Sequence, residues 1–181
     1  MSEKFVPTSP AEDIAAWAVN KKSGVTGLLT ADLVALVQSG VTVSMGSQDA
    51  RGWPLVGSGV GCRVLGGNRL RVLCKRSANQ SLLNAVAAQA PLAVTFTAAR
   101  DHRACQVKSR QIQILPSISD DIPEMDRQNG ILHSELVALG IPPNVVRDFV
   151  AFDPADLVAL EFFAEHLYSQ TPGPGAGAEL K

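Results

Sequence analysis

From Val41 onward the apolar residues stop recurring every three or four positions and begin to alternate, and this change of period constrains the fold more than any other feature. VTVSMGS, PLVGSGVGCRVL from Pro54 and NRLRVLCK from Asn68 read as three strands. DARG is turn chemistry after the first, and Gly66-Gly67-Asn68 is a hairpin signal between the other two. NQSLLNAVAAQA is an amphipathic helix capped by Asn79 or Ser77, after which PLAVTFTA and a long CQVKSRQIQIL return to β-type runs. Three strands, a helix and two more strands predict a mainly β chain with flanking helices, an α+β fold.

Helical signals stand on either side. TSPAEDIAAWAVNKK predicts a helix with Ser9 as cap and Pro10 at its first position, and TADLVALVQSG a second, capped by Thr30 and stopped by Gly40. SISDDIPEMDRQNGILHSELVALG predicts a helix with a break, with Asp120 and Asp121 as first-turn acids, and IPPNVVRDFV a short helix begun by prolines. DPADLVALEFFAEHLYSQ is ambiguous, since its capping favours helix and its bulky apolar residues allow a buried strand. The closing SQTPGPGAGAEL has the composition of a disordered terminus, or of a backbone-rich loop pinned against something.

The chain has 181 residues, 46% hydrophobic and 18% charged, which suits one compact domain and excludes a largely disordered one. A net charge of -1 supplies no global field for nucleic acid or an anionic membrane. With no apolar run of eighteen residues and no secretory pattern in MSEKFVPTSPAED, a cytoplasmic protein is expected. Cys62, Cys74 and Cys105 lack metal or redox spacing and are expected as buried, reduced thiols.

Catalytic side chains are sparse. His102, His133 and His166 are scattered, without a metal-binding or nucleophile-activating pattern, and no nucleotide fingerprint fits the glycines of GVGCRVLGG. Two stretches invite a ligand. In LCKRSANQSLL, Lys75 and Arg76 end a strand and Ser77, Asn79, Gln80 and Ser81 open a helix, which suits a phosphate or a solvated turn. Gly57, Gly59 and Gly61 fall on one face of their strand, which suits a bulge or barrel corner, or a flat ligand against bare backbone. In RACQVKS, alternation sets Gln106 opposite Cys105 and Val107, where its amide reads as a heterocycle contact or as part of an exposed polar face.

Taken in order, VTVSMGSQDARGWPLVGSGVG, LRVLCKRSANQSLLNAVAAQAPLAVTF and HRACQVKSRQI resemble the pyridoxamine 5'-phosphate oxidase-like family of FMN-binding split β-barrels. The ending DLVALEFF with YSQTPGPGAG is similar to the tail of an uncharacterised subgroup of that family. The resemblance implies a single domain over residues 1–181: N-terminal helices at 1–40, barrel core at 41–115, helical insertion at 116–152, final strand and tail at 153–181. It also implies a homodimer with FMN at the interface. The ring would lie near Gly57, Ser58, Gly59 and Val60, and the phosphate at Lys75, Arg76, Ser77, Asn79, Gln80 and Ser81. Gln106 would face the flavin from the partner chain, and Thr171 of the tail is placed with the cofactor contacts.

The sequence departs from the vitamin oxidase in three places. Ser81-Leu82 stand where that enzyme has basic residues, Ser109 stands where a glycine often closes the pattern, and the Arg- and His-containing C-terminal motif is missing. A flavin-dependent oxidoreductase with a different small-molecule substrate is therefore the expectation. The alternative is a non-catalytic flavin- or haem-binding module, or a dimeric interaction module of the same fold.

Overall fold

The computed structural model describes residues 28–65 and 68–180. The helix expected at TSPAEDIAAWAVNKK and two residues of the Gly66-Gly67-Asn68 hairpin lie outside them. In chain order the elements are α1 (Ala31–Val37), β1 (Thr42–Gln48), β2 (Pro54–Val64), β3 (Arg69–Lys75), a 3-10 turn (Ser77–Asn79), α2 (Gln80–Ala87), β4 (Leu92–Thr97), β5 (Ala104–Ser109) and β6 (Ile112–Pro116). Then come α3 (Asp121–Ala138), α4 (Pro143–Val150), a second 3-10 turn (Pro154–Asp156), β7 (Leu157–Phe163) and β8 (His166–Ser169).

All eight strands join one antiparallel sheet in the order β6-β7-β3-β2-β1-β4-β5-β8. Its ends are tied to each other by short links. Only residues 110–111 separate β5 from β6, and only 164–165 separate β7 from β8, although each pair spans opposite ends of the ladder. The sheet must therefore curl until its ends meet, which makes a barrel of it. Glu165 pins that corner, accepting from the Ser109 hydroxyl and the Arg110 amide.

The inward face follows from alternation. Val43 and Met45 of β1, Val94 and Phe96 of β4, and Cys105 and Val107 of β5 are buried in one core with Leu82, Leu83 and Val86 of α2. A smaller cluster of Leu73, Met125 and Ala159 lies outside the barrel wall, beneath α3. All three cysteines are free and buried, and burial pushes the Cys74 and Cys105 thiols up to about 12, so neither supplies a thiolate nucleophile at neutral pH.

Several sequence expectations are corrected by this geometry. The long run CQVKSRQIQIL is two strands, β5 pairing with β4 and β8, β6 with β7. The helix expected to break is continuous over its 18 residues. The ambiguous segment is strand, as the resemblance implies, but forms two, β7 and β8, because β3 and β5 offer it backbone partners that outweigh its helical propensity. The Pro/Gly tail folds back on β8: the amides of Gly177 and Leu180 donate to the carbonyls of Ser169 and Leu167, and Gly173, Gly175 and Gly177 adopt positive φ to make the return.

For the glycines of β2 the bulge alternative holds, but their single shared face does not. The pairing of β2 with β3 shifts register between Gly59 and Gly61, so a bulge at Val60 inverts the alternation. Gly57 and Gly59 face the barrel interior, whereas Gly61 faces α3. Each bare position is filled by the chain's own atoms: Asn79 and Leu82 over Gly57, Val43 over Gly59, and Gln128 and Met125 over Gly61. On the face where a side chain would stand, the absence of one makes room for internal packing.

Candidate functional site

The bulge does leave a hollow on the outer side of the sheet. A cavity of about 180 Å³ opens there, walled on one side by Ser44, Ser58, Gly59, Val60 and Lys75. Leu132 of α3 and Phe149, Val150 and Ala151 at the end of α4 form its opposite wall. Buried amides hold the two walls together. Gln128 accepts from the Cys62 amide (3.0 Å) and donates to the Cys62 carbonyl (2.6 Å), while Asn129 donates to the Val60 carbonyl (3.2 Å). These bonds satisfy backbone groups that the bulge withdraws from the ladder. Lys75, at the end of β3, extends its ammonium to the Ala151 carbonyl at 3.4 Å.

Asn79 is not free to meet a ligand. It is buried, accepts from the Ser58 amide (3.0 Å) and donates to the carbonyls of Ser58 (3.1 Å) and Lys75 (2.7 Å), clasping β2 to β3. Nor does it cap α2 with its side chain. Ser77 is likewise engaged: its amide (3.0 Å) and its hydroxyl (2.5 Å) both donate to the carboxylate of Asp156, just before β7. Those bonds, together with the charges of Lys75 and Arg76, hold the Asp156 carboxyl below the usual carboxylate range. Arg76 and Ser81 are exposed, and Gln80 donates to Asn84 along α2 at 2.9 Å.

No protein-family model matches the chain, and no curated protein does. Solved structures do. A pyridoxamine 5'-phosphate oxidase candidate from Lactobacillus delbrueckii superposes with a TM-score of 0.50 at 15% identity, covering 80% of this chain and 97% of that one. An F420 reductase gives 0.50 at 16% identity, covering 74% and 93%. HupZ from Group A Streptococcus gives 0.51 at 11% identity, covering 82% and 99%. The chain has the pyridoxamine 5'-phosphate oxidase-like split-barrel fold. At these identities the likeness is one of architecture, and the side chains must speak for the site.

Across the outer face of the split barrel, register aligns Ser58, Ser44, Thr95, Gln106 and Tyr168 in one row over five strands. Gln106 thus lies on the outward face and donates to the Thr95 hydroxyl at 2.9 Å, outside the lining of the cavity. Thr171 exchanges hydrogen bonds with the Ala104 amide and carbonyl (3.0 and 3.3 Å), so it fastens the tail to β5. None of the three histidines lines the cavity of the split barrel. His102 sits in the β4–β5 turn at φ 56°, His133 lines an open groove between α3 and α4, and His166 contacts Glu179 at 2.9 Å. Two larger hollows, of about 370 and 380 Å³, contain none of the residues expected at the cofactor.

Sequence reasoning thus singled out Ser58, Gly59, Val60 and Lys75, which share the cavity, and missed Ser44 and Phe149, which line it too, and the bond of Asp156 to Ser77. Asp156 follows Asp153, whose side chain accepts from the Ala155 amide at 2.9 Å. That Asp-Pro-Ala-Asp turn was the available signal, read only as helix capping.

Proposed function

We propose that the chain binds FMN along the outer side of β1 and β2 as half of a homodimer, and acts as a flavin-dependent oxidoreductase other than the vitamin oxidase. The observation that carries this reading is the cavity itself, which gathers Ser58, Gly59 and Val60 of the bulged strand with the Lys75 ammonium at its rim. When bound, the flavin supplies the redox chemistry, which suits a chain poor in catalytic side chains. Its own residues bind and orient. The Ser44 and Ser58 hydroxyls offer hydrogen bonds to a polar ring edge, Lys75 and Arg76 attract a phosphate, and Leu132 and Phe149 keep water from one wall.

The residues fit such a ligand only in part. About 180 Å³ is less than the roughly 300–1,000 Å³ of pockets that enclose a ligand of this size, so part of it would project from the subunit. A second copy is the natural cover, because Val56 and Trp53 are 83% and 68% exposed beside the polar row that contains Gln106. No helix among the described residues is long and apolar enough to cross a membrane. Placement in the cytoplasm belongs to the same proposal.

Denaturing the purified protein and identifying what it releases by absorption and mass tests this reading. FMN, with a bound spectrum that bleaches under a nicotinamide reductant and recovers in air, is the expected result. A Soret band or a colourless protein would reject it. The engagement of Ser77 by Asp156 gives specific weight to one rival, a dimeric interaction module that carries no cofactor.

A further inference from the structure

The turn between β3 and α2 already holds an anion of the chain's own. Ser77 directs its amide and its hydroxyl at one carboxylate, Asp156, and the flanking cations Lys75 and Arg76 stabilise the charged form of that carboxylate. The Arg76 amide also donates to the Asp156 carbonyl at 2.8 Å, so the whole turn is laced to the residue preceding β7. Two hydrogen-bond donors and two cations around a carboxylate are the donor set that a terminal phosphate requires.

We infer that Asp156 determines the selectivity of the cofactor site: its carboxylate occupies the place of a ligand's terminal phosphate, and a phosphorylated ligand binds by displacing it from Ser77. This rests on the flavin reading above but adds a residue and a direction to it. A carboxylate and a phosphate cannot share the Ser77 donors, and if both remain near Lys75 and Arg76 they repel. A ligand with an uncharged tail pays neither cost, because it leaves Asp156 in place. The residue thus sets how strongly the site distinguishes FMN from riboflavin, and it ties occupancy to the entry of β7.

The test compares the wild type with Asp156→Asn, which keeps an acceptor for the Ser77 amide and removes the charge. Binding of FMN, riboflavin and inorganic phosphate is titrated at one ionic strength, and a thermal melt of each protein is recorded. The expected result is about a tenfold gain in affinity for FMN and for phosphate, with riboflavin changed by less than about twofold. Asp156→Ser repeats the comparison should the asparagine variant fold poorly. Equal shifts for FMN and riboflavin, or weaker phosphate binding, would show that Asp156 merely staples the turn, and would overturn the inference. If neither flavin binds either protein while phosphate still prefers the variant, the flavin reading fails and the role of Asp156 stands.

Discussion

Asp121 is fully buried where α3 begins, with the guanidinium of Arg71 on both its oxygens (2.7–3.1 Å), Arg63 at 2.6 Å and the Ile118 amide at 2.9 Å. Burial alone would raise its pKa, but the bonds from Arg71, Ile118 and Arg63 outweigh that and hold it low. A depressed carboxylate pKa stabilises the fold fully above the unfolded-state value, close to 3.8, and the stabilisation fades as pH falls from there through the folded value. Asp121→Asn should cost about 3–5 kcal/mol by urea denaturation at neutral pH and should flatten the acid limb of the stability profile below about pH 4. An unchanged profile would remove Asp121 from that role. The half-buried Lys75 and the exposed Arg76 make a different prediction. Under the proposed function, replacing Lys75 and Arg76 together with Ala should weaken FMN by about 1.5–3 kcal/mol in a binding titration and riboflavin far less, since only FMN carries a phosphate. At this scale Lys75 was legible because a cation ending a strand has to meet solvent or a ligand. The backbone bonds of Asn79 and Thr171 were not legible, because a polar residue type does not tell which partner it will meet.

Among the elements, β2 and α3 depend on each other. The bulge at Val60 turns Gly61 outward, and α3 presses Gln128 and Met125 into the space a side chain would need: an added Cβ would stand 2.6 Å from the Gln128 amide oxygen and 2.8 Å from the Met125 sulfur. Gly61→Ala should therefore destabilise the protein by about 1–3 kcal/mol in chemical denaturation, chiefly by displacing α3, and should enlarge or distort the adjoining cavity. Retained stability would mean that α3 yields easily and that its amides do not fix the bulge. The same dependence explains what could be read of these elements. Strand alternation and the capping signals located α1 at Thr30, β1 through β4, and α4 after its prolines, each within a few residues. The glycines of β2 allowed a bulge, but its place at Val60 depends on which strand pairs with which and in what register.

For the whole molecule the outer sheet face matters most. Val56 stands beside Gly46 and Ser58 next to Ser44, in register with Ala93 and Thr95, so this face carries small or polar side chains around one prominent apolar residue. Under the proposed function, Val56→Glu should shift the homodimer to monomer by light scattering and release flavin with it, since the cavity is too small to enclose that ligand alone. A variant that stays dimeric would move the interface elsewhere. The amino-acid sequence by itself determined that this chain is mainly β with flanking helices and a cation pair at the end of its third strand, because period, turn residues and caps are local properties. Only the tertiary structure decided that the glycines make room for the chain's own side chains, that Ser77 is held by Asp156, and that the tail folds back on the final strand. Each of those depends on partners 8 to 79 positions away, and the sequence carries no local record of such pairings.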